Sequence, residues 1–131
     1  MTNKSSLKVS VDLGKNRLTI VLTGSIAKKE LESLYTEIRF GVADLKPGFA
    51  MINDLTGCKL GYLSGLGTFT KIREYLQFKG AGVIIRVIGK RSLIAEQLTR
   101  IVDRKTDYEV VYVSNREEAD RVLTERGQSV A

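Results

Sequence analysis

The chain has 131 residues, 43% of them hydrophobic and 27% charged, the length and balance of one globular domain with its own core. It has no histidine and a single cysteine, Cys58, which removes the commonest general base, any internal disulfide and the paired-cysteine spacing of zinc sites. Its net charge of +6 is concentrated: from Lys71 to Lys105, nine basic residues stand against Glu74, Glu96 and Asp103, and the remainder of the chain is balanced.

The opening residues MTNKSSLKVS lack the apolar stretch of a secretory signal. No apolar run approaches the roughly 20 residues that cross a bilayer, and the longest, 82–88, contains Arg86. A cytoplasmic, soluble protein is expected.

In chain order, Leu7, Val9, Val11 and Leu13 alternate with polar residues, the period of a strand with one buried face. Gly14-Lys15-Asn16-Arg17 supplies a turn and Leu18 to Leu22 resumes a β-branched run, so a hairpin is predicted. After Thr23-Gly24-Ser25 the period becomes helical, with Leu31, Leu34, Tyr35, Ile38 and Val42 on one side; Gly41 and then Pro47-Gly48 mark its end. Residues 49–55 read as a buried strand and Thr56 to Leu63 as a loop. Leu66, Phe69, Ile72, Tyr75 and Leu76 mark a second helix, with Ser64 as its N-cap.

Val83 to Ile88 is the best candidate for a central strand. It leads through Gly89-Lys90-Arg91-Ser92 to a third helix carrying Leu93, Ile94, Gln97, Leu98 and Ile101. Tyr108 to Val113 is a last strand, and Ser114-Asn115-Arg116-Glu117 matches a capping box that opens a helix buried through Ala119, Val122 and Leu123. The expected fold is α/β: a single mixed, mostly parallel sheet opened by an antiparallel hairpin, with four helices, in one domain over 1–131 with its core at about 7–125.

Four segments carry a family resemblance: LTIVLTGSI, MINDLTGCKLGYLSGLGTF, GAGVIIRVIG and YEVVYVSNREEADRVL. In order and spacing they resemble the second strand and its turn, the strand and "DSSGLG" helix start, the next strand, and the closing strand and helix of the STAS domain, the fold of the anti-sigma factor antagonists. The similarity runs from Leu7 to about Leu123. It implies a non-catalytic regulatory domain that docks a protein partner, an anti-sigma factor or kinase-like regulator, through Tyr62, Leu63, Ser64, Gly65, Leu66 and Gly67.

In that family an aspartate and then a phosphorylatable serine stand in this loop. Here their places are taken by Tyr62 and Leu63, and leucine has no hydroxyl to modify. Control by phosphorylation at the usual site is therefore not expected. Ser64 is read as the helix cap, worth about 1 kcal/mol, with a substitute phosphosite as its alternative.

Arg86, a charge within an apolar strand, needs a partner, and Asp54 at the end of the preceding strand is the expected one. The alternative is an anion site formed by Arg86, Lys90 and Arg91. Cys58 is read as structural rather than reactive. Asp54, Glu74 and Glu96 show no pairing suited to acid–base work, and no cofactor or metal is expected. A second function, a carrier of a small apolar ligand or lipid, is implied by STAS-like relatives whose helices splay. Nucleic-acid binding through the basic stretch is the least supported reading.

Overall fold

The computed structural model describes residues 5–60 and 65–127, with the side chain of Arg91 excepted. Strand β1 (Ser6–Asp12) turns back through Leu13 to Asn16 into β2 (Arg17–Ile26), and the two pair antiparallel from Ser6 with Thr23 to Asp12 with Arg17, which leaves Leu13 in the turn. Asn16 takes a positive φ of 53° at this turn, a conformation that asparagine tolerates better than most residues. Its side chain donates to the Lys46 carbonyl and accepts from the Lys46 amide, which clasps the hairpin to the loop ahead of the next strand.

Helix α1 (Lys28–Val42) follows, then β3 (Ala50–Leu60), α2 (Leu66–Lys79), β4 (Val83–Val87), a 3-10 turn at Lys90–Ser92, α3 (Leu93–Asp103), β5 (Glu109–Val113) and α4 (Arg116–Glu125). The five strands lie in the order β1-β2-β3-β4-β5, antiparallel at the first pair and parallel at the other three. Each parallel connection carries a helix, as parallel pairing requires.

Helices α1, α2 and α3 bury Leu31, Leu34, Ile38, Phe69, Ile72, Leu98 and Val102 against Leu18, Ile20, Met51 and Ile84 on one face of the sheet. Helix α4 alone covers part of the other face, setting Ala119 and Leu123 on Ala50, Ile52, Val83, Ile85, Val87 and Val113. The strands β3 and β4 are therefore buried on both sides and read as nearly continuous apolar runs.

Three expectations are corrected. The first concerns β3, which continues through Leu60 instead of giving way to a loop at Thr56. Val21 pairs with Asp54 but Thr23 pairs with Gly57, so β3 carries one extra residue at this point, a β-bulge. The bulge moves the inward set from Met51, Asn53 and Leu55 to Cys58 and Leu60, and a change of parity looks like the end of a strand when only the period is read. The same pairing extends β2 through Thr23-Gly24-Ser25 to Ile26.

The second concerns α3. Its buried side is Ala95, Leu98, Thr99 and Val102, whereas Leu93 and Ile101 are 58% and 42% exposed. The third is the cap of α4, which is Asn115 rather than Ser114: Asn115 Oδ1 accepts from the Glu118 amide at 2.8 Å, and Glu118 Oε1 accepts from the Ser114 amide at 3.0 Å.

Candidate functional site

Two places hold the sequence-predicted site residues: the opening of α2 and the neighbourhood of Arg86. They have different chemistry. Of the six residues expected to meet a partner, Tyr62, Leu63 and Ser64 lie outside the described residues, as does the proposed cap role of Ser64. Gly65, Leu66 and Gly67 are described. Gly65 is buried, and a Cβ there would come within 2.7 Å of Leu31 Cδ1, so the start of α2 is held tightly against α1. Leu66 is half-buried against the core. Gly67 is exposed, and a Cβ on it would meet nothing within 4 Å. Within three residues the chain passes from interior to open surface.

Arg86 does not pair with Asp54. In the β3–β4 register Arg86 stands beside Asn53 and Val87 beside Asp54, so Arg86 and Asp54 point to opposite faces of the sheet. Asp54 lies on the α4 side, accepts from the amide and hydroxyl of Thr56 at 3.0 and 2.7 Å, and sits 3.7 Å from Arg116. Arg86 points toward α3. There its Nε and one terminal nitrogen donate to the two carboxylate oxygens of Asp103 at 3.1 and 2.8 Å, and its other terminal nitrogen donates to Asn53 Oδ1 at 2.7 Å.

The Tyr112 hydroxyl donates to Asp103 Oδ2 at 2.7 Å and lies 3.0 Å from the Thr99 hydroxyl, which itself donates to backbone carbonyls of its own helix. Outside this network, Arg100 lies over the Tyr112 ring at 3.9 Å and pairs with Glu96.

Both members of the Arg86–Asp103 pair are almost wholly withdrawn from water, with side-chain exposures of 4% and 7%. Burial alone would lower the Arg86 pKa, but the adjacent Asp103 carboxylate and its hydrogen bonds outweigh it, and the guanidinium is held above its usual value. Burial, joined by the hydrogen bond to Asp103, raises the Tyr112 phenol. Tyr108, close by and also buried, is pushed up to about 12 by the same loss of solvent. A guanidinium matched in this way is a structural cation.

The network explains the turn of α3 that periodicity missed: Ala95, Thr99 and Asp103 recur every four residues, and facing them toward Arg86 and Tyr112 rotates Leu93 and Ile101 outward. That stripe of small and polar residues was the available signal.

The suggested anion site does not assemble around these groups. Arg86 is inside, Lys90 is exposed beyond the strand end, and the Gly89 amide is taken by Ser92 Oγ at 2.8 Å. The Arg91 side chain lies outside the described residues. Cys58 is buried, its thiol is pushed up to about 12 by desolvation, and it is not a poised nucleophile.

Between α1, α2 and the sheet, Ile20, Leu34, Ile38, Met51, Asn53, Phe69, Ile72 and Arg86 enclose a cavity of ≈ 10 Å³, about the space of one water. In this conformation that interior is closed to a lipid. Among the described residues no group of three or more acidic, cysteine or histidine side chains is placed to hold a metal, and no helix is long and apolar enough to cross a membrane.

No protein-family model and no curated protein matches the chain. Solved structures do. An uncharacterized DUF3478-family protein with a SpoIIAA-like fold from Shewanella loihica PV-4 aligns with a TM-score of 0.71 at 14% identity, over 94% of this chain and 98% of the other. An anti-sigma factor antagonist from Mycobacterium paratuberculosis aligns with a TM-score of 0.61 at 19% identity, over 92% and 95%. The fold is STAS-like. A chain from the complex of the diguanylate cyclase SiaD with its activator SiaC from Pseudomonas aeruginosa aligns with a TM-score of 0.52 at 13% identity, over 85% and 93%. This STAS-like domain thus matches the others over nearly its whole length, and the expected sheet with four helices is the observed one.

Proposed function

We propose that this STAS-like domain is a non-catalytic regulatory module that docks a protein partner at the opening of α2. The observation carrying this reading is the STAS-like fold combined with the geometry of Gly65 to Gly67, where a helix start pinned to α1 emerges into open space. Two of the structural neighbours are named for acting with other proteins, as an anti-sigma factor antagonist and as a cyclase with its activator. In this reading partner docking runs through Tyr62, a residue type enriched among interface anchors, with Leu63 and Leu66 as flanking apolar contacts. It is not switched at the usual position, because Leu63 cannot carry a phosphate, whose charge of about −1.5 to −2 would transform a helix start.

Gly67→Glu and Leu63→Asp test this. A Cβ at Gly67 would meet nothing within 4 Å, and a carboxylate in the first turn of α2 is favoured by the helix dipole, so the variant is expected to keep its fold. Partner capture from the native host is expected to fall at least tenfold in both variants, with a melting temperature for Gly67→Glu no lower than that of the parent protein. Undiminished capture by both removes this surface from consideration. A phosphate found on Ser64 by intact-mass analysis, and lost in Ser64→Ala, would restore phosphorylation control at a shifted position.

A further inference from the structure

Between Lys90 and Lys105 the two acids are both used: Glu96 by Arg100, and Asp103 by Arg86 inside the protein. Lys90, Arg104 and Lys105 stay exposed, and none of them makes an ion pair among the described residues. On the same outward side lie Leu93 and Ile101, two turns apart and well exposed. Their exposure follows from the inward commitment of Thr99 and Asp103, so the helix cannot rotate to hide them without unpairing a buried arginine.

We propose that the outward face of α3 docks an acidic segment of a partner protein, with Leu93 and Ile101 as apolar contacts and Lys90, Arg104 and Lys105 meeting its carboxylates. The inference rests on the reading of the domain as a protein-interaction module and adds the chemistry of the partner. Charge complementarity selects the occupant. A second copy of this chain would set the same cations against each other, because a two-fold interface joins like to like. Phosphate contacts would leave the two exposed aliphatic side chains uncovered, whereas a protein segment can cover Leu93 and Ile101 while its carboxylates meet the cations at the two ends of the helix. A membrane-surface helix needs a continuous apolar side, and here Gln97 and Arg100 interrupt it.

The test is site-specific photo-crosslinking in the native host, with a benzophenone amino acid at Leu93 and, as control, at Arg121 on the exposed side of α4. The expected result is a protein adduct from position 93 and not from 121, mapping to a net-acidic segment. A synthetic peptide of that segment should bind the full-length protein with an affinity that weakens as salt rises, and Leu93→Asp should raise its Kd about tenfold or more. Adducts only with nucleic acid or lipid, yields equal to the Arg121 control, or mapping to a neutral or basic segment overturn the proposal. Loss of peptide binding in Leu93→Asp but not in Leu63→Asp supports this surface and leaves the α2 opening to its own capture test, whereas loss in Leu63→Asp but not in Leu93→Asp overturns the α3 surface.

Discussion

The two faces of the sheet solve the same packing problem with different chemistry. Under α4 the centre of the interface is aliphatic, with Ala119 and Leu123 on Ile52, Ile85 and Val113. Its ion pairs, Arg116 with Asp54, Arg17 with Asp120 and Arg126 with Glu109, each keep at least one partner in solvent. Under α3 a charged and hydroxylated cluster of Arg86, Asp103, Asn53, Thr99 and Tyr112 is embedded in an otherwise apolar layer. An aliphatic contact tolerates small rotations of its helix, because dispersion and solvent exclusion are nearly non-directional. A bidentate guanidinium–carboxylate pair does not, because both oxygens must be met in one plane. The α3 side therefore fixes which residues its helix shows to the outside through a pair wholly withdrawn from water, whereas the centre of the α4 side is held by non-directional contacts with its ion pairs at the rim.

The sharpest way to break this contrast is Asp103→Ala, which strands a buried guanidinium and should cost about 3–5 kcal/mol in urea unfolding. Pairing it with Arg86→Met should recover most of the loss, since a buried ion pair can be replaced by apolar groups at little net cost. A cost below about 1 kcal/mol for Asp103→Ala alone would mean that the network does not orient the helix. On the opposite face Leu123→Ala should cost about 3 kcal/mol through lost burial and a residual cavity, with no dependence on pH.

Alkaline titration separates the faces more finely. Tyr108 lies on the α3 side, and burial raises its pKa from the ordinary value of 10.0 to about 12. The folded state therefore holds this proton more tightly than the unfolded chain. The corresponding stability is fully present below pH 10 and is lost as pH rises from 10 to 12, to a total of about 3 kcal/mol. Tyr108→Phe should flatten that decline when unfolding is followed at constant ionic strength, and an unchanged slope would assign the decline to other groups. The smallest effect is expected at the start of α4. Asn115→Ala removes the side-chain acceptor for the Glu118 amide and should cost about 1 kcal/mol without touching α3.

The hairpin, the helices and the double-sided burial of Val83 to Val87 were legible in the sequence because each depends on a local period. What escaped was set by relations across the sheet. The bulge opposite Leu22 changes which residues of β3 face inward, and nothing between Thr56 and Leu60 announces it except the later burial of Cys58 and Leu60. The partner of Arg86 comes from a helix 17 residues further on, while the acid on the neighbouring strand, Asp54, is directed away by the alternation of the strand. Capping of α4 could be read in two frames, Ser114 with Glu117 or Asn115 with Glu118, and the hydrogen bonds between Asn115 and the Glu118 amide and between Glu118 and the Ser114 amide mark the second. At the α2 opening the residue types were legible from family resemblance. Their spatial meaning came from the contact between Gly65 and Leu31, which lies 34 positions earlier in the chain.

Because the strands stand side by side in the order in which they occur in the chain, the sheet can grow from one edge during synthesis, each new strand adding to a neighbour already in place. Helices α1 to α3 accompany that growth on one side. The other side waits: Ala50, Ile52, Val83, Ile85 and Val87 have no cover until α4, which follows all five strands, leaves the ribosome. For the time needed to translate the intervening residues, a nascent chain would present a water-exposed aliphatic strip. Docking of the last helix is the step that closes this strip.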